Sequence, residues 1–268
     1  MTDLAKPPVS NFARRRMLRL GAATAATLAV SRTVLAETTQ TLSPRAPAKA
    51  IAFDGFVIFD PKPVFAQAET LFPGKGAELS NLWRIRQFEY CWLRTLTGNY
   101  ADFWTVTRDA LGFAAAALKL DLTPAKRDRL MQAFLELKAH ADVKPGLDTL
   151  RAAGIRLGFL SNLTEPMLQS AITSAGLDGY FEQLLSTDRV RAYKPDPRAY
   201  RMGVDGFGLS REEIVFAAFG GWDANGAKSF GYRTFWCNRL NLPAEELGAR
   251  PDATGGTVGD LARFVLTA

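Results

Sequence analysis

At Lys49 the chain changes from a polar, aperiodic stretch to a patterned one. Residues 49–54, KAIAFD, form an apolar run closed by an acid, which predicts a buried strand carrying Asp54 at its carboxyl end. Residues 63–140 follow a helical period instead. In AELSNLWRIRQFEYCWLRTLTG, Leu79, Leu82 and Trp83 fall at helical spacing and the run stops at Gly98. LTPAKRDRLMQAFLELKAH opens with Thr123 as N-cap and Pro124 in the first turn. No segment of this region reads as a strand.

Beyond it, strands and helices alternate. IRLGFLS (155–161) is strand-like, and TEPMLQSAITSAG is a helix ending at Gly176. FEQLLS is a short strand, and DPRAYRMGVDGFG starts a helix with Asp196 as N-cap and Pro197 first. EIVFAAF (213–219) is a strand, DANGAKSFG a helix ending at Gly231, YRTFWCN a strand, and TVGDLARFVL a final helix. Repeated strand–helix units predict a Rossmann-like α/β fold, a parallel sheet with helices on both faces. The expected organisation is a first core segment at 49–62, a helical cap at 63–145 and the rest of the α/β core at 146–268.

The residues before Lys49 read differently. Arg14, Arg15 and Arg16 precede a weakly apolar run from Leu20 to Val30, and a small-residue VLA follows at 34–36. This is the layout of an export signal over 1–36, cleaved near Ala36, and the arginine cluster resembles a twin-arginine signal. The alternative is an uncleaved amphipathic anchor. The run is too short to span a bilayer. Residues 37–48, ETTQTLSPRAPA, form a linker. These features imply the export machinery as a partner and a periplasmic or otherwise exported location.

The formal charge of +6 is mostly a property of that leader. Without its six cations and one anion, 27 basic and 26 acidic residues remain, so the body is near neutral and nucleic acid is not an expected partner. Cys91 and Cys237 each sit among aromatics, which predicts buried thiols rather than a disulfide framework. His140, the sole histidine, excludes a histidine triad and a multi-histidine metal site; a surface or hinge position is expected.

In parallel α/β sheets the working site lies beyond the carboxyl ends of the strands. Those ends carry Asp54, Ser161, Asn162 and Asp223, and a loop entering a helix carries Lys194. Taken singly, each has a plain structural reading: Asp54 as a turn former or N-cap, Ser161 as an N-cap, Lys194 as a solvated cation, Arg84 as a surface ion-pair partner, and Phe88, Phe103 and Trp222 as core. Asp60, before Pro61, reads as a turn residue.

Together, LWRIRQFEYCWLRTLTGNYADFW, LSN, YKPDPRAY and WDANGAKSFGY resemble the haloacid dehalogenase superfamily, and within it the type II L-2-haloacid dehalogenases, from about Lys49 to the C-terminus. The resemblance implies a core with an inserted helical cap and hydrolysis of short (S)-2-haloalkanoic acids to 2-hydroxyacids, with no metal or cofactor. Asp54 matches the nucleophile, Lys194 the lysine that orients it, Asp223 the acid of the last motif and Arg84 the arginine for the substrate carboxylate or leaving halide. Ser161 and Asn162 match the carboxylate-holding motif and Tyr200 a supporting tyrosine. Phe56, Phe88, Phe103 and Trp222 match the apolar wall. A homodimer is also implied.

The motifs depart from the pattern in places. FDxYGTLFD is here FDGFVIFD, one residue shorter, with Val57 and Ile58 where Gly and Thr are expected. SSNAWDA is here AFGGWDA, so Ala218 and Gly220 replace a Ser and an Asn. Two alternatives follow. An exported phosphatase of the same superfamily would need a second acid where Phe56 stands and another where Phe219 stands, leaving too few carboxylates for Mg²⁺. A non-catalytic binder of small anions would tolerate the lost polar side chains.

Overall fold

The computed structural model describes residues 46–267. The expected export signal and most of the expected linker lie outside them.

A six-stranded parallel sheet forms the core, in the order β5-β4-β1-β6-β7-β8. Its strands are β1 (Ala50–Phe53), β4 (Arg156–Ser161), β5 (Gln183–Ser186), β6 (Ile214–Ala218), β7 (Arg233–Cys237) and β8 (Ala253–Gly255). The central strands are buried on both faces, which is why they read as unbroken apolar runs. Ile51, Phe53, Val215 and Ala217 pack against α6 (Val143–Ala152), α7 (Glu165–Ala175) and α10 (Val258–Leu266). Ala50, Ala52, Phe216 and Ala218 face α8 (Pro197–Phe207) and α9 (Gly221–Phe230). The period of two thus sorts one strand's residues into two cores.

The chain leaves β1 through a single helical turn, α1 (Gly55–Ile58), and a two-residue strand, β2 (Phe59–Asp60). It then makes α2 (Lys62–Leu71), α3 (Gly76–Thr97), α4 (Phe103–Ala117) and α5 (Pro124–Gln132). Gly98 ends α3 with φ 72°, a left-handed position that glycine adopts without strain. Thr123 caps α5 through its hydroxyl, which accepts from Lys126 N at 3.3 Å.

Two expectations need correction here. The helix drawn through His140 ends at Gln132, and β3 (Lys138–Ala139) pairs antiparallel with β2. Pairing across sequence overrides local helical propensity at this point, so the insert is tied to the core by a small two-stranded stalk. In addition, α6 starts at Val143 and packs on the sheet side with α10, inside the span assigned to the cap. The strand β8 had no signal in the pattern.

His140 stands at the end of the stalk, where its N–H donates to Ile58 O at 3.1 Å. Burial pulls its imidazole below the usual histidine range. Asp60 lies in β2 and also accepts from Lys62 N at 3.0 Å, so it opens α2 as a turn residue would. Both cysteines are buried free thiols.

Candidate active site

β1 is flanked by β4 on one side and β6 on the other, and β5 precedes β6 in sequence. The strand order therefore reverses at β1, which opens a crevice at its carboxyl end. Asp54 follows β1 there, Ser161 ends β4, and Asp223 lies in the first turn of α9 after β6.

Asp54 caps a helix and also pairs with a lysine. Its Oδ1 accepts from Phe56 N at 3.0 Å, capping α1. Its Oδ2 accepts from Lys194 Nζ at 2.7 Å. The same ammonium donates to Asp223 Oδ2 at 2.7 Å. Tyr200 donates its hydroxyl to Asp223 Oδ1 at 2.7 Å and is held in turn by Tyr232, which donates to Tyr200 O at 2.6 Å. Lys194 is wholly buried, 5.0 Å from the centre of the Phe216 ring.

Burial alone lowers an ammonium's pKa, but the Asp223 and Asp54 carboxylates outweigh it and hold Lys194 above its ordinary value. Burial pushes Asp223 up to about 6; Lys194 pulls against that shift and Asp54 adds to it. Burial, then the Asp223 charge, keeps the Tyr200 hydroxyl protonated, as its donor role requires.

Asn162 ties β4 to the lysine loop. Its Oδ1 accepts from Lys194 N at 3.2 Å and from the Thr187 hydroxyl at 3.4 Å. Ser161 Oγ accepts from Leu163 N at 3.2 Å, which leaves its own proton free to donate.

Above these groups lies a cavity of about 180 Å³. Asp54, Phe56, Arg84, Phe88, Phe103, Ser161, Asn162, Trp222 and Asp223 all line it. Arg84 and Phe88 are one turn apart on α3, as their spacing required. Arg84 is exposed on α3 at the cavity wall and makes no ion pair among the described residues. Phe88 and Trp222 pack edge-on with centroids 5.4 Å apart. Phe56 and Phe219 close the opposite stretch of wall at 6.0 Å.

Tyr200 does not belong with the groups that contact a ligand. It is fully buried behind Asp223, because its ring fills the α8–β6 interface against Phe216. Lys194 likewise reaches the cavity only through the carboxylates. Val57 and Ile58, at the altered motif positions, are buried in the core.

The cavity also contains residues that the sequence pattern did not single out. Gln87 is buried on α3 and donates to Thr107 Oγ1 at 2.6 Å, locking α3 to α4. The loop after β7 brings Asn238, Leu240, Leu242 and Glu245 to the mouth. The available signal was the general one that segments following a parallel strand's carboxyl end border the site.

Known proteins with this arrangement are found at every level of comparison. A family model for haloacid dehalogenase-like hydrolases matches residues 18–231. The chain is 42% identical over 207 residues to haloacetate dehalogenase H-2 of a Moraxella species, spanning 77% of this chain and 92% of that protein. It is 41% identical over 205 residues to an (S)-2-haloacid dehalogenase of a Pseudomonas species, strain YL, spanning 76% and 88%. The L-2-haloacid dehalogenase of Xanthobacter autotrophicus, crystallised with chloropropionic acid covalently bound, superposes with a TM-score of 0.77 at 31% identity, over 82% of this chain and 98% of that one. With this sheet order, this insert and this similarity over most of both chains, the protein belongs to the haloacid dehalogenase-like hydrolases.

Proposed function

We propose that this protein is an exported hydrolase that removes halide from short (S)-2-haloalkanoic acids and yields 2-hydroxyacids of inverted configuration. The observation that carries the reading is Asp54: a carboxylate held at 2.7 Å by a fully buried lysine, at the floor of an apolar cavity whose wall includes Arg84, which has no ion pair among the described residues. Relatives named as haloacetate and (S)-2-haloacid dehalogenases support it.

In this reading Asp54 attacks the halogen-bearing carbon in line, the carbon–halogen bond breaks, and an ester forms on Asp54. Lys194 Nζ, 2.7 Å from Asp54 Oδ2, orients the attacking carboxylate. The substrate carboxylate takes the free Ser161 hydroxyl and the adjacent Asn162 amide, and Arg84 receives negative charge from the α3 side. The aromatic wall excludes water and strengthens these charge interactions. Water then cleaves the ester. Phe56 stands two residues after Asp54 and lines the cavity, which puts a ring where a phosphatase of this superfamily would carry its second acid.

The test is halide release from (S)-2-chloropropionate and related acids by mature protein, with Asp54→Asn as control. No halide from any short 2-haloacid, or equal release by the variant, rejects the reading. Residues 1–36 serve in this proposal as a twin-arginine-type export signal, and a homodimer is the assembly suggested by resemblance.

A further inference from the structure

Gly220 stands at φ −85° and ψ 142°, a conformation open to any residue. Space, not backbone freedom, explains the glycine. A Cβ at this position would lie 2.7 Å from Trp222 Nε1 and 3.2 Å from its Cδ1 and Cε2. A side chain at 220 and the indole in its present place therefore exclude each other. The indole is fixed by edge-on contacts to Phe88 and Trp92, each with centroids 5.4 Å away.

Its N–H has no acceptor among the described residues, although Trp222 lies against Gly220 and lines the same cavity as Asp54. Trp83 and Trp236 instead donate to Thr107 O at 2.7 Å and Phe219 O at 3.0 Å. The amides of Gln87 and Asn238, also in the cavity wall, are committed to Thr107 Oγ1 and Leu242 O. The Trp222 N–H, on a half-buried ring, is thus a donor without an acceptor among the described residues, next in sequence to Asp223. Such a donor is worth most when it meets charge that develops during reaction.

We propose that the Trp222 indole N–H, in the room that glycine leaves at 220, holds the water that hydrolyses the Asp54 ester, replacing the Asn side chain of the resembled motif. This rests on the dehalogenase reading. In the step, the water oxygen bonds to Asp54 Cγ and the Cγ–O bond to the substrate breaks. The departing oxygen takes one of the water's protons to give the 2-hydroxyacid. The other proton is released as the Asp54 carboxylate re-forms.

Rapid-quench turnover of (S)-2-chloropropionate, with halide and 2-hydroxypropionate counted separately and intact protein mass recorded, tests it. Trp222→Phe keeps the ring and removes the donor. It is expected to retain a burst of one halide per site, to slow 2-hydroxyacid release by on the order of 10²-fold, and to accumulate the ester adduct. Gly220→Asn alone is expected to be slow because the new side chain displaces the indole. Adding Gly220→Asn to Trp222→Phe is expected to recover about tenfold or more of the lost rate, which a merely structural wall residue would not produce. Unchanged turnover in Trp222→Phe, a halide burst lost in parallel with turnover, or a double variant no faster than Trp222→Phe overturns the proposal. Failure of the dehalogenase reading is visible separately, as a wild type that releases no halide.

Discussion

Lys194 Nζ lies 2.7 Å from Asp54 Oδ2, although the two residues are 140 positions apart in sequence. The ammonium is shared with Asp223 at the same distance and is closed to solvent, so its removal leaves two carboxylates facing each other in a low-dielectric site. Lys194→Met is expected to abolish turnover and to destabilise the fold by about 3–5 kcal/mol. Asp54→Asn is expected to abolish turnover while lowering stability by only about 1–2 kcal/mol, since the amide oxygen still accepts from Lys194. Halide release combined with denaturant unfolding separates the two variants; equal stability losses would contradict this account.

Asp223 sets a pH dependence with a defined sign. Burial raises it from an ordinary 3.8 to about 6 in the folded chain. Between these values the native state binds more protons than the unfolded state, so this group makes stability fall as pH rises from about 4 to 6. Lys194 acts at the other end: raised above 10.5, it contributes stability that is present below that value and lost as pH climbs past it. If ionised Asp223 is needed for turnover, kcat/KM should rise with a midpoint near 6. A profile flat from about pH 5 to 8 would exclude that requirement.

Arg84 sits exposed on α3 at the cavity wall, without a carboxylate partner among the described residues. Arg84→Lys keeps the charge but loses the planar fork that matches a carboxylate. Its KM for 2-haloacids should increase about tenfold or more, with stability unchanged within about 0.5 kcal/mol. Steady-state kinetics and a thermal melt on the same preparation check both halves.

Arg239 joins the two segments that flank the stalk. It donates to Val57 O at 2.9 Å and to both oxygens of Asp142 at 2.8 and 3.0 Å, and Asp142 also accepts from Val258 N at 2.8 Å. Burial raises the Asp142 carboxyl, but Arg239 and the Val258 amide more than reverse this and hold it below the ordinary carboxylate value. The stability it contributes is present above that ordinary value and lost as pH falls through the lowered one. Arg239→Ala should cost about 2–4 kcal/mol, and the difference from wild type should shrink towards pH 3. Urea titrations at pH 7 and at low pH measure it.

Export is tested on the full chain. Replacing Arg15 and Arg16 together with lysine should retain the protein in the cytoplasm, and the exported wild type should begin near Glu37. Fractionation with N-terminal sequencing reads both. Equal export of the variant would remove the twin-arginine proposal without touching the chemistry of the site.

The elements were legible where local physics decides them. Apolar runs marked β1, β4, β6 and β7, and Thr123, Gly98, Gly176 and Gly231 marked helix ends. The stalk was not legible, because two-residue strands gain their stability from a partner about 80 residues away rather than from their own pattern. The rim loop bearing Asn238 and Glu245 was missed for the same reason: nothing in its composition says which cavity it borders.

By itself, the sequence determined the alternation that builds a parallel sheet, the placement of Asp54 and Ser161 at strand ends and of Asp223 in the helix start that follows a strand, and the pairing of Arg84 with Phe88 on one helical face. These follow from periodicity, which is local. Tertiary structure alone decided that Lys194 is buried between two carboxylates, that Tyr200 supports the site from behind, and that Gly220 makes room for an indole. Burial and through-space distance depend on how the whole chain packs, and no spacing along it encodes them.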